Sequence, residues 1–139
     1  MKSNIGIAPK IRDMVKQRDK ALSGDIVFSL TLEGDAPAAS SEGFEAIPVR
    51  VAVEDSAGNI HDWFNKTITM NALSVTTAGN GTAVQSPANT CVMENGVGRV
   101  SVTGANTWAE GDTFTVSVPN TTILGYTVTS KSITATCTA

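Results

Sequence analysis

The stretch Ile47-Pro48-Val49-Arg50-Val51-Ala52-Val53-Glu54-Asp55-Ser56-Ala57-Gly58-Asn59 decides the reading of the fold. Ile47, Val49, Val51 and Val53 recur at every second position, with Arg50, Ala52 and Glu54 between them, which is the period of a strand with one buried face. Pro48 has no N–H to give a ladder, so it is expected at an outward, edge or strand-entry position. Asp55 to Asn59 reads as a tight turn, because Gly58 and Asn59 tolerate positive φ.

The same period extends both ways. Upstream, Ile26, Phe28, Leu30 and Leu32 alternate with Val27, Ser29 and Thr31, a second strand, and residues 34–44 (GDAPAASSEGF) read as a mobile small-residue loop. Downstream, His61 to Asn65 and Thr67 to Asn71 are read as one or two strands, with Trp63, Phe64, Ile68 and Met70 supplying bulk. Asn80-Gly81 is a favoured type I′ hairpin pair. Cys91 to Met93, the turn Glu94-Asn95-Gly96 and Val97 to Thr103 read as a hairpin, followed by a strand over Thr113 to Val118. The closing segment, 126–138, carries Tyr126 and Val128, then Ile133, Ala135 and Cys137. About seven to nine short strands with no crossover helix between them exclude a parallel βαβ architecture and leave an antiparallel sandwich or barrel.

Composition agrees with this class. The chain has 139 residues, enough for one domain with a real core. Only 17% of them are charged, against about 25% in an average globular protein. The charge is unevenly placed. Residues 1–20 hold six basic residues and two acids, a local charge of +4, while the remaining four basic and eleven acidic residues give −7. The chain therefore divides into a basic arm, 1–24, and an acidic β domain, 25–139.

The arm carries the single helical pattern. Over residues 9–22 (PKIRDMVKQRDKAL), Ile11, Met14, Val15, Arg18 and Leu22 follow i, i+3, i+4, i+7 spacing, with Arg12, Lys16, Asp19 and Lys20 opposite. Pro9 suits a first turn and Gly24 a C-terminal cap. A helix this short with so narrow a stripe is not stable alone in water. It is expected to dock, and Lys10, Ile11, Arg12, Met14, Val15, Lys16, Arg18 and Leu22 form the candidate partner interface. The arm has no aromatic residue and its basic residues are interrupted by Asp, so nucleic acid is not the expected partner. Behind Lys2 there is no apolar run of a secretory signal, and no stretch approaches the roughly 18 apolar residues of a membrane span. Read from a natural start at Met1, the chain is expected to stay inside a cell or to leave it in a particle.

Little chemistry is legible. His61 is the single histidine, and beside Asp62 and Trp63 it reads as a half-exposed strand residue rather than a catalytic base. Glu54-Asp55 and Glu110-Asp112 flank turns without the spacing of a calcium loop. Gly96-Val97-Gly98 reads as hairpin punctuation, and Trp63 and Trp108 as packing residues. Cys91 and Cys137 both have inward parity; a bridge between strands and two buried free thiols are both open, the latter being the commoner outcome in a reducing compartment. No catalytic residue, metal site or cofactor is expected.

From Ile47 to Ala139 the chain resembles the bacterial immunoglobulin-like domains of invasin-type adhesins, which also occur in phage virion proteins. The matching pieces are the strand and turn Val49 to Asn59, the run Asn95-Gly96-Val97-Gly98-Arg99-Val100-Ser101-Val102-Thr103, and a Thr-rich terminal strand. The resemblance implies an all-β, immunoglobulin-like antiparallel sandwich. Residues 1–24 have no counterpart in that family. The expectation is a non-catalytic phage virion protein, foremost a capsid decoration (cement) protein. It would bind the major capsid protein or another virion protein through its arm, as a homo-oligomer or multi-copy array. A tail or other virion protein with the same body is the alternative, as is a bacterial surface adhesin or carbohydrate-binding module using aromatic residues such as Trp108 and Tyr126.

Overall fold

The computed structural model describes residues 25–139, and among them the protein is all-β, with antiparallel sheets and no helix. The helical arm expected over residues 1–24 lies outside the described residues. Eleven strands are present: β1 (Val27–Leu32), β2 (Phe44–Glu54), β3 (Thr67–Thr69), β4 (Ser74–Thr76), β5 (Thr82–Ser86), β6 (Thr90–Val92), β7 (Val97–Ala105), β8 (Thr113–Val118), β9 (Thr121–Ile123), β10 (Tyr126–Val128) and β11 (Lys131–Thr136). This exceeds the seven to nine expected, chiefly because β4 and β9, each three residues long, had no counterpart in the sequence pattern, whereas β3 and β6 fall on the expected segments Thr67 to Asn71 and Cys91 to Met93. Alternation cannot be recognised over so few positions.

Two sheets make the body. One has the order β1-β2-β7-β5 and the other β11-β8-β4, while β3-β6 and β9-β10 form two-stranded ribbons. The inward positions are the ones the alternation marks. Ile47, Val49, Val51 and Val53 of β2, Val100 and Val102 of β7, and Phe114, Val116 and Val118 of β8 belong to one buried cluster that also holds Phe28, Met70, Met93 and Trp108. Burying each such side chain contributes about 1.5–3 kcal/mol before entropy is charged against it. The sheets thus share a single core in a sandwich-like arrangement.

The deciding stretch behaves as its pattern implies, with two differences. Pro48 is exposed, yet β2 lies in the interior of its sheet, between β1 and β7. The Pro48 carbonyl accepts from Glu33 N–H at 2.9 Å, but its ring nitrogen returns nothing, so β1 pairing ends at Leu32↔Val49. Of the three readings of Pro48, outward holds, while edge and strand entry do not, and the residue instead ends the pairing of β1. Ala52, read as outward, is fully buried. It sits between Arg50 and Glu54 on the same side of β2, and their ion pair at 4.0 Å closes over a side chain too small to reach past them.

Other segments depart further. His61 to Asn65 is not a strand; Phe64 N–H bonds back to His61 C=O, and consecutive Trp63 and Phe64 pack edge to face. Asn80-Gly81 does not make a type I′ turn, since neither residue has positive φ. Its flanking strands belong to different sheets: β4 pairs with β8 and β5 with β7. Asn95 and Gly96, in contrast, have φ of 52° and 80°, and Glu94 and Val97 exchange both backbone bonds across them, as a tight hairpin turn requires. The hairpin opens at once, because the ladder partner of β6 is β3.

The 34–44 loop is held rather than loose. Pro37 is buried, and Ala39 and Ser40 N–H donate to Thr138 and Trp108 C=O while Thr138 and Trp108 N–H donate to Pro37 and Ser40 C=O. Small residues here permit close backbone approach to the C-terminal segment instead of mobility.

Candidate functional site

The interface residues named from sequence, Lys10, Ile11, Arg12, Met14, Val15, Lys16, Arg18 and Leu22, all lie outside the described residues. What the structure describes is the point from which that segment leaves. Asp25 is held twice: the His61 ring nitrogen Nε2 bonds its carbonyl at 2.9 Å, and the Ser56 hydroxyl donates to its carboxylate. His61 is therefore a buried loop residue, 7% exposed, and not the half-exposed strand histidine its neighbours suggested. Its ring packs on Trp63 with centroids 5.3 Å apart.

The loop carrying His61 is in turn fixed to the Asn95-Gly96 turn. Gly96 N–H donates to Phe64 C=O at 2.8 Å, Asn95 N–H to Asn65 Oδ1 at 2.8 Å, and His61 N–H to Val53 C=O at 2.8 Å. A Cβ on Gly96 would lie 2.5 Å from the His61 carbonyl oxygen, so this position combines positive φ with close approach. The Asp55–Asn59 turn completes the root. Hydrogen bonds from the Asn59 backbone and side chain, with a further one from Ala57 N–H, hold the Asp55 carboxyl below the usual carboxylate range. Asp25, Glu54 and Asp55 make this end of the body acidic, opposite in sign to the segment that leaves it.

Near this root runs a groove of about 330 Å³ whose lining includes Trp63, Phe64, Ile68, Ile123 and Leu124. The Leu124-Gly125 turn on its wall has φ of 51° and 84°, joining β9 to β10, a hairpin that residue alternation did not reveal. Leu gives no turn signal, and three-residue strands carry no period.

Several polar side chains hold parts of the fold together. Asp112, 4% exposed, accepts from Ala78 N–H at 3.0 Å and Ala109 N–H at 2.8 Å, tying the loop before β8. Trp108 is 1% exposed and donates from Nε1 to Thr82 C=O at 3.0 Å. The Glu33 carboxyl is held low by its hydrogen bonds from Arg99, an exposed fork on the outer face of the first sheet. Among the described residues no group of three or more His, Cys, Asp or Glu could hold a metal ion, and no helix is long and apolar enough to cross a membrane.

Cys91 and Cys137 are unbridged and buried. Burial pushes the Cys91 thiol up to about 11, and burial, with Asp112 and Glu110 nearby, raises Cys137. A thiol raised in the folded state contributes stability below its unfolded value of 9.0 and loses it as pH rises toward about 11. Both thiols are expected to resist a maleimide at neutral pH until the protein is unfolded. Stability measured by urea should decline between pH 9 and 11, less steeply in Cys91→Ala; a thiol that reacts rapidly in the folded protein would contradict the burial.

The sequence matches no protein-family model and no curated protein.

Proposed function

We propose that this chain is a structural, non-catalytic virion protein, foremost a capsid decoration protein that grips the shell through residues 1–24 and displays its β body. The observation that carries the reading is the root at Asp25. A segment of charge +4 leaves a body of charge −7 from a point fixed by His61 and Ser56. Attachment at a fixed root transmits position to the body, whereas a segment hung on a loose tether would not. Two antiparallel sheets around one core, joined by tight turns, support an immunoglobulin-like sandwich as the displayed body. Multi-copy binding on a symmetric shell follows from such a role.

The adhesin or carbohydrate-binding reading loses one of its two named contacts, since the buried Trp108 offers no ring face to a sugar; Tyr126 stays 41% exposed. The test is co-sedimentation with particles of the virus whose genome encodes the chain. The full chain should pellet with them. A 25–139 fragment, and Ile11→Asp with Val15→Asp in the full chain, should lose at least about tenfold in affinity, or roughly 1.4 kcal/mol. A fragment that binds as tightly as the full chain would overturn the role of the arm. Labelling confined to tails in electron micrographs would move the reading to a tail protein.

A further inference from the structure

β5 is an open edge of unusual composition. It ends the β1-β2-β7-β5 sheet, and among the described residues no strand lies beyond it. Edge strands are normally blunted by charge, by burial or by proline. The opposite edge, β1, lies beside β11. From Thr67 to Met93, which includes all of β5, no residue carries a charge, although the body as a whole is at −7. In the middle of β5, Val84 is 68% exposed, the most exposed large apolar side chain of the described residues.

The register shows which backbone groups face the open side. Pro48 turns its carbonyl toward β1, where Glu33 N–H meets it. Ser101, paired with Pro48, must therefore turn its own groups the other way, toward β5. Ser101 pairs with Ser86 and Thr103 with Val84, so Ser86, Val84 and Thr82 face β7. The alternate residues, Ala83 and Gln85, then direct their N–H and C=O outward. Pro87, the next outward position, has no N–H and bounds the edge. The Gln85 side-chain amide donates to the carbonyls of Pro87 and Ala88, holding that boundary in place.

We propose that β5 pairs with β5 of a second copy of this chain, antiparallel about a two-fold axis at Val84. In this register Ala83 and Gln85 of each copy exchange both backbone bonds with Gln85 and Ala83 of the other, four hydrogen bonds in all. Val84 faces its own counterpart at a non-hydrogen-bonded position, where Cα atoms stand about 4.5 Å apart and side chains are closest. Thr82 faces Ser86, so no like charges meet, and the two sheets continue as one of eight strands. The occupant is a second copy because the strand is complementary to itself in sequence and in donor pattern, and because the uncharged edge lets two acidic bodies approach. One five-residue strand from each copy makes a small contact beside the roughly 1,200 Å² typical of a stable complex, and we expect a dissociation constant on the order of 0.1–1 mM. Copies held side by side would pair far more readily.

The test uses the full chain. Sedimentation equilibrium should show the mean mass rising from 14.4 kDa toward twice that value as concentration approaches about 1 mM. Val84→Lys and Val84→Glu should each stay monomeric with an unchanged melting temperature, and an equimolar mixture of the two should associate again. Val84→Cys should form a disulfide-linked dimer at least about tenfold faster than Val92→Cys, a comparably exposed site (57%) off this edge. A monomer at all concentrations, self-association that survives Val84→Lys, or equal cross-linking at both cysteines would overturn the proposal. These outcomes do not depend on whether residues 1–24 bind a particle.

Discussion

Trp108→Ala should cost about 3–5 kcal/mol of folding stability, enough to lower the melting temperature by roughly 10–20 °C. Trp108 is 1% exposed and packs on Phe44 at the start of β2, whereas Asp25 lies near Glu54 at the other end of that strand. Phe44 meets it edge to face at 5.0 Å, and Phe114 lies at 6.4 Å. Its removal leaves a cavity between the two sheets and strips Thr82 C=O of its indole donor, a polar penalty added to the apolar one. Trp108 also exchanges two backbone bonds with Ser40. The cavity should therefore loosen the 34–44 loop, detectable as faster amide exchange there. Trp108→Phe keeps much of the volume and should recover more than half of the loss. Urea unfolding of the three proteins checks the prediction, and a loss below about 1 kcal/mol for Trp108→Ala would show that the sheets close over the gap.

The second large effect is expected at a residue with no side chain. Gly98 is an inward position of β7, where β6 crosses it. A Cβ there would lie 2.5 Å from the Val92 carbonyl oxygen, 2.7 Å from Cys91 Sγ and 2.8 Å from Met93 Sδ. The nearest obstacle is backbone, so a rotamer change cannot relieve it. Gly98→Ala must push β6 outward, at a cost of about 1–3 kcal/mol or somewhat more. Because β6 is held by only three register pairs with β3, it is the element that gives way. The variant should show both a lowered urea midpoint and faster maleimide labelling of Cys91. Gly79→Ala, with nothing within 4 Å, is the matched control and should change stability by no more than about 0.5 kcal/mol. Labelling of Cys91 that stays slow in a destabilised Gly98→Ala would place the strain elsewhere.

These two residues also mark what could be read from sequence. Ile47 to Val53 and Phe114 to Val118 are legible because a strand covered on one face imposes a period of two over five or more residues. Asn95-Gly96 was legible because few residues take positive φ in succession. Gly98 was not: a glycine between a turn and a strand looks like part of the turn, and its interior role is set by β6, which reaches it from another part of the fold. Asn80-Gly81 misled for the reverse reason. Its composition suits a hairpin, but the chain there passes from one sheet to the other, and Gly81 serves to let the Trp108 indole and the Thr107 carbonyl come close. His61 reads as part of a strand because Trp63 and Phe64 look like strand bulk, whereas half-buried Trp63 and buried Phe64 lie on a loop packed against the core. Of the candidate site, sequence supplied the charge and the stripe of the arm, while the clasp on Asp25 depends on residues 31 and 36 positions further along, which no local pattern connects.

The bonds between the 34–44 loop and the C-terminal segment have a mechanical consequence. From Asp25 the chain runs through β1 to the loop, and Ala38 pairs with Thr138 in parallel, so the described chain starts at one pole of the body and reaches Thr138 at the other. Tension applied between those poles pulls the two paired segments in opposite directions along their common axis. Their hydrogen bonds are then loaded together, in shear, instead of being peeled one after another. A body tethered at Asp25 and pulled from its far end should hold to higher force than the same body pulled across the sheet.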